Sequence, residues 1–304
     1  MRKRMRMWDL LPALALGLAA GAGPAWSVPV TLEDGSALVE VDAAGADGLT
    51  AWTVNGVQHL RTQRLFVRVG DAGPETPAHL LDLDAQVASD TDADGKDDTL
   101  FLRWLDPQER FRLEVRFALD GTPFAPVEAG AASDLATQIT LSNTSGAPLD
   151  VWLFQYTDVD LLGSFVDDAA LWTPAGAANT VAVSDATGLA RYESVFTRRP
   201  DAIEASVFDA LLASLGDGAA TALSGALSAE GDVTLGAAWS ALLAPGGSLL
   251  VSQDQQVRVV PIPEPGTGVL VAGGLALGAA LRRRARGRTA HEDRGTAARP
   301  GGRV

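Results

Sequence analysis

The tightest constraint on the fold is a ten-residue alternation. From 110 to 119, Phe111, Leu113, Val115, Phe117 and Leu119 alternate with Arg110, Arg112, Glu114, Arg116 and Ala118. Side chains along a strand point to opposite faces in turn, so this segment offers one face to a core and one to water. Residues 99–104 repeat the pattern, with Leu100, Leu102 and Trp104 set against Thr99, Phe101 and Arg103. The Asp106-Pro107 turn between the two segments marks a hairpin. Residues 51–60 fold back at Asn55-Gly56, a dipeptide suited to the positive φ angles of a type I′ turn. Two further pairs of β-prone arms read as hairpins: 137–142 with 149–156 about Asn143-Thr144-Ser145-Gly146, and 232–243 with 248–260 about Pro245-Gly246-Gly247. One helix is expected over residues 202–215, capped by Asp201, with Ile203, Val207, Phe208, Leu211, Leu212 and Leu215 on one stripe. Many antiparallel strands, no βαβ alternation and no fixed repeat give an all-β fold, a large antiparallel β-sandwich with one short helix. A single core over residues 28–260 and two smaller sandwiches divided near 121–130 both fit.

Charge divides the 304 residues differently. The formal net charge is −14, yet residues 28–260 hold 34 acidic against 12 basic side chains, and the remaining bases cluster at the two ends. An acidic middle excludes a nucleic-acid binder, whose phosphate contacts need a basic surface. The absence of cysteine excludes disulfides, thiolate metal sites and a cysteine nucleophile.

Both ends read as address labels. Residues 1–27 run from Arg2, Lys3, Arg4 and Arg6 through an apolar stretch at 10–22 to the small residues Ala25 and Ser27, the order of a secretory signal peptide cut after Ser27, with 20–22 as a competing site. At the other end, residues 261–266 are proline-rich and 267–281 are uncharged. Those 15 residues reach about 22 Å as a helix, a short transmembrane helix against a ~30 Å hydrocarbon core. The basic tail 282–304 would lie in the cytoplasm by the positive-inside rule. Pro263-Glu264-Pro265, the short apolar segment and the cluster Arg282-Arg283-Arg284 together resemble the sorting signal of PEP-CTERM surface proteins. The resemblance covers about 30 residues and implies an exported substrate of an exosortase-type membrane protease, anchored transiently and then delivered to the cell surface or an exopolysaccharide matrix. It implies no activity for the middle. The tail after the arginines is longer than that family's pattern.

Two acidic clusters could carry chemistry. Asp90, Asp92, Asp94, Gly95 and Asp98 follow the opening of a calcium loop, with alternate carboxylates converging on one cation and Lys96 supplying its backbone carbonyl. The twelfth position is Phe101 rather than a bidentate Glu, so the loop is no EF-hand and resembles those of dockerin and thrombospondin type-3 repeats. A solvated acidic loop fits the same residues. Asp158 and Asp160, with Asp167 and Asp168 beyond, could form a glycosidase acid/base pair, or simply an acidic strand end. His59, in a hairpin arm, and His79, opening a strand, read as surface or packing residues. Trp52, Trp152 and Trp172 read first as core and otherwise as a sugar platform. The leading expectation is therefore a non-catalytic, exported surface or matrix protein with calcium as its one candidate cofactor. The alternative is a secreted carbohydrate-active enzyme or carbohydrate-binding module.

Overall fold

In the computed structural model, which describes residues 28–124, 130–173 and 179–261, 17 strands form two antiparallel sheets. One sheet runs in the order β1 (Val30–Asp34), β2 (Ala37–Asp42), β3 (Gly48–Val54), β4 (Val57–Val69), β10 (Leu149–Val159), β16 (Val233–Leu243) and β14 (Ala202–Val207), with the two-residue β5 (Thr76–Pro77) beside β4. The other runs β15 (Ser228–Gly231), β11 (Asp168–Thr173), β12 (Thr180–Asp185), β13 (Ala190–Phe196), β17 (Ser248–Val259), β9 (Ala131–Asn143), β8 (Phe111–Gly121), β7 (Thr99–Leu105) and β6 (Asp82–Ser89). The inner faces meet in one core holding Val39, Trp52, Leu113, Ile139, Leu153, Trp239 and Val251. That core spans both halves of the chain, and Gly121 pairs with Ser133 across the point where two sandwiches would part. The protein is one sandwich.

The alternation at 110–119 becomes β8, with Phe111, Leu113, Val115, Phe117 and Leu119 buried, and β7 pairs with it as expected. Asn55 and Gly56 take φ angles of 52° and 74° in the β3–β4 turn, the left-handed pair that a type I′ hairpin needs.

The other two expected hairpins are instead arches that carry the chain from one sheet to the other. Residues 144–148 lead from β9 in the nine-stranded sheet to β10 in the eight-stranded one, and Pro245-Gly246-Gly247 leads from β16 back to β17. Asn143 ties them together. Its side-chain N–H groups donate to the carbonyls of Ala147 (2.8 Å), Leu243 (3.0 Å) and Ala244 (3.2 Å), and its Oδ1 accepts from Ser145 N–H at 2.9 Å.

The expected helix is also corrected. Residues 202–207 form β14 on the edge of β16, and only Ala210–Gly216 is helical (α1). Asp201 caps no helix; its carboxylate accepts from the backbone N–H and hydroxyl of Ser240. Edge pairing along six residues supplies hydrogen bonds that a free helix would have to make alone, so tertiary context overrides the 3.6-residue stripe. The stripe survives in Leu211 and Leu215, buried against Phe66, Phe154 and Tyr156 on the outer face of the eight-stranded sheet. His79 lies in a 3-10 turn (Ala78–Leu80) rather than a strand. No described helix is long and apolar enough to cross a membrane. The signal peptide, Pro263, Glu264, Pro265, the apolar segment 267–281 and Arg282–Arg284 lie outside the described residues.

Candidate functional site

The polar face of β8 is one row of a wider surface. Register sets Val87 of β6 beside Phe101 of β7, Phe101 beside Arg116 of β8, Arg116 beside Gln138 of β9, and Gln138 beside Ser252 of β17. The next row along the strands is Ser89, Thr99, Ala118 and Ala136. Small residues in that second row leave room, and the two rows line a trough of about 690 Å³ on the outer face of the nine-stranded sheet. The Arg116 guanidinium lies 4.5 Å from the centre of the Phe101 ring, close enough for cation–π attraction. Among the described residues no ion pair engages Arg116. A guanidinium drawn to a ring still has planar N–H edges to offer for bidentate hydrogen bonds. Phe101 is legible in the sequence as an aromatic on the wet side of an alternation. Arg116 and Gln138 carry no local signal, since only register brings them to it.

A second site lies on the opposite sheet. Asp158 and Asp160 leave the end of β10 on its outer side, and Asp232 immediately precedes β16. One oxygen from each of these three carboxylates lies within 4.8 Å of the others. Asp158 is 1 % exposed and Asp160 8 %. Burial, reinforced by Asp160 and Asp232, pushes the Asp158 carboxyl up to about 7. Burial also raises Asp160 and Asp232.

Asp168, one of the four carboxylates weighed for an acid/base pair, sits on β11 opposite Asp185 and accepts from the Leu161 N–H at 3.1 Å. Its own carboxyl is likewise pushed by burial to about 7. Asp167 accepts from the Ser164 hydroxyl. His59 is fully buried, and burial lowers it to about 4. Its Nδ1 accepts from the Leu162 N–H at 3.3 Å, so the neutral ring carries its proton on Nε2.

The loop at 90–98 brings Asp90, Asp92 and Asp98 together, one oxygen from each within 4.8 Å of the others. Asp94 accepts from the Lys96 N–H at 2.8 Å, and the Lys96 ammonium pairs with Glu33 at 2.7 Å. Asp90 accepts from Ala93 and Gly95 N–H groups, and Asp98 from the Thr91 hydroxyl. Turns built by the side chains themselves therefore satisfy much of this loop. Trp52 and Trp172 are buried and form no sugar platform; Trp152 is half-buried, with Arg68 stacked over it at 5.0 Å.

Solved structures share the architecture. A bacterial glucoamylase complexed with acarbose superposes with a TM-score of 0.51 at 11% identity, over 85% of this chain and 37% of its own length. This chain thus spans a little over a third of that enzyme, and the likeness is one of fold. A galactose mutarotase related enzyme from Lactobacillus acidophilus gives a TM-score of 0.48 at 8% identity, over 76% of this chain and 97% of that one. The Slr1438 protein from Synechocystis sp. PCC 6803 gives 0.48 at 11%, over 80% and 100%. No protein-family model matches the chain, and no curated protein matches its sequence.

Proposed function

We propose that this chain is an exported saccharide-binding protein that holds a sugar in the trough of its nine-stranded sheet. The observation that carries the reading is the row Phe101–Arg116–Gln138–Ser252 along a trough of about 690 Å³, a volume in the range of small-molecule sites. The stacked Arg116 and the Gln138 amide offer hydrogen bonds to ring hydroxyls, and Phe101 offers an apolar face. The glucoamylase fold is in keeping with this reading. Asp158 and Asp160 lie on the other sheet and are buried, so a sugar in the trough does not reach them.

The ends of the chain supply the delivery: signal peptide, Pro263-Glu264-Pro265 processing by an exosortase-type protease, and release to the surface, where an exopolysaccharide is the natural ligand. Calcium in the Asp90–Asp98 loop, held by Asp90, Asp92 and Asp98, stiffens the turn between β6 and β7.

Binding of the protein to an oligosaccharide array, followed by titration of the best ligand, tests the trough. Phe101→Ala or Arg116→Ala should weaken binding roughly tenfold, about 1.4 kcal/mol. Trp152→Ala, on the opposite sheet, should leave it unchanged. Equal affinity in all three variants would remove the trough from the account. Proton NMR of the bound sugar covers the catalytic alternative, for which bond cleavage or anomeric exchange would be the sign.

A further inference from the structure

The outer face of the eight-stranded sheet holds a set of oxygens that the protein leaves unmatched. Tyr156, Asp158 and Asp160 follow one another at alternate positions along β10 and just past its end. Cross-strand pairing sets Tyr156 beside Arg64 and Asp158 between Thr62 and Thr234, with Asp232 two residues before Thr234. The three carboxylates each bring an oxygen within 4.8 Å of the other two. Oδ1 of Asp158 and Oδ1 of Asp160 are buried and have no hydrogen-bond partner. The Tyr156 hydroxyl is likewise buried without a partner, in a side chain that is fully enclosed. Tyr156 stands two positions before Asp158 on β10, so the two side chains share one face of the strand.

Nearby cations do not meet this need. Arg61 lies over the Phe208 ring at 5.7 Å and forms no ion pair with the three acids, and Arg64 is paired with Asp47. Buried carboxylates that are neither paired nor hydrogen-bonded are costly, and proteins resolve the cost by protonation or by a metal.

We propose that Asp158, Asp160 and Asp232 hold a calcium ion, with the Tyr156 hydroxyl facing it. The donors are all oxygens, the set preferred by hard cations. The three oxygens are close enough together to share one cation. Calcium takes such oxygen ligands in flexible geometry, whereas magnesium demands a near-ideal octahedron. The ion would pin the end of β10, where the chain leaves for the nine-stranded sheet, to the start of β16.

The test uses the full chain stripped of metal by chelator. Because the 90–98 loop also offers carboxylates, the reference is the loop variant Asp90→Asn, Asp92→Asn. Calcium titrated into it by calorimetry should bind at one equivalent, and terbium in its place should luminesce when the protein's aromatic rings are excited. Adding Asp232→Asn, at a half-buried position, or Asp158→Asn should weaken calcium binding at least tenfold with the circular dichroism spectrum kept, and Tyr156→Phe should dim the terbium emission. If Asp158→Asn does not fold, Asp232→Asn decides alone. No heat and no shift in melting temperature in the loop variant up to about 10 mM calcium would overturn the site, as would unchanged binding after Asp232→Asn.

Discussion

Arg116 gains its character from one neighbour. A lone arginine on a strand face samples many rotamers, and ordering it costs entropy; the Phe101 ring 4.5 Å away lowers that cost by cation–π attraction. Phe101→Leu should therefore weaken saccharide binding although it keeps the apolar bulk, because the stacking partner is gone. Titration calorimetry against the wild type reads this directly. At Asp158 the same scale yields a pH dependence. In metal-free protein its folded pKa is about 7 against an ordinary value of 3.8. Between those values the folded state keeps a proton that the unfolded state has released, so stability is full below about 4 and falls as pH rises to about 7. Asp160 and Asp232, both raised, add to the fall, while Arg61 and Arg64 oppose it. Urea melts in chelator across this window should show wild type losing stability relative to Asp158→Asn, and calcium, which the variant binds more weakly, should reverse the difference. A flat difference profile would contradict the burial of an ionisable group there. The oddity of Phe101 is visible in the bare sequence; Asp232 is not, since nothing local ties it to Asp158, which is 74 positions away in number and adjacent only through the β10–β16 register.

At the scale of elements, the sandwich depends on joints that sequence patterns do not distinguish from hairpins. A turn of Asn, Ser, Gly and Pro residues signals reversal, and an arch between sheets reverses the chain as well as a hairpin does. What separates them is whether the inward residues of the two arms belong to one sheet or face each other across a core, and that is decided by pairing with distant strands. Asn143 holds both arches, so Asn143→Ala leaves the carbonyls of Leu243 and Ala147 without this donor and should cost roughly 2–4 kcal/mol in urea unfolding. A loss below 0.5 kcal/mol would show that the arches hold without it. The helix expected at 202–215 failed for the related reason that edge strands and amphipathic helices draw on the same residues. The cover over the eight-stranded sheet has its own clasp: buried Glu75 accepts from Arg68 at 2.7 Å and from the Thr221 N–H at 2.8 Å. Glu75→Ala strands the buried Arg68 and should cost about 3–5 kcal/mol, with protease cutting in residues 217–227 as the local readout. The loop at 90–98 gives a milder prediction. Calcium at about 10 mM should stabilise the protein by roughly 1–3 kcal/mol if that loop binds in the 0.1–1 mM range, and part of this should vanish in Asp92→Ala, Asp94→Ala.

For the whole molecule, the sandwich class and the inward faces of β7 and β8 were legible because period-2 alternation is a local signal. The strand order was not, because each sheet is woven from both halves of the chain. The charge asymmetry also belongs to this scale: residues 28–260 are acidic and the ends basic, the arrangement on which the proposed sorting reading rests. Replacing Arg282, Arg283 and Arg284 with Gln should leave the protein unprocessed or mislocated on cell fractionation; unchanged processing would end the sorting account.

The position of β17 has a consequence in time. It lies between β13 and β9, near the middle of the nine-stranded sheet, yet among the described strands it is the last to leave a ribosome or a translocation pore. Until residues 248–259 emerge, β9 and β13 have no seam between them, and each keeps one edge unpaired. Such non-local closure is slow, on the order of milliseconds to seconds.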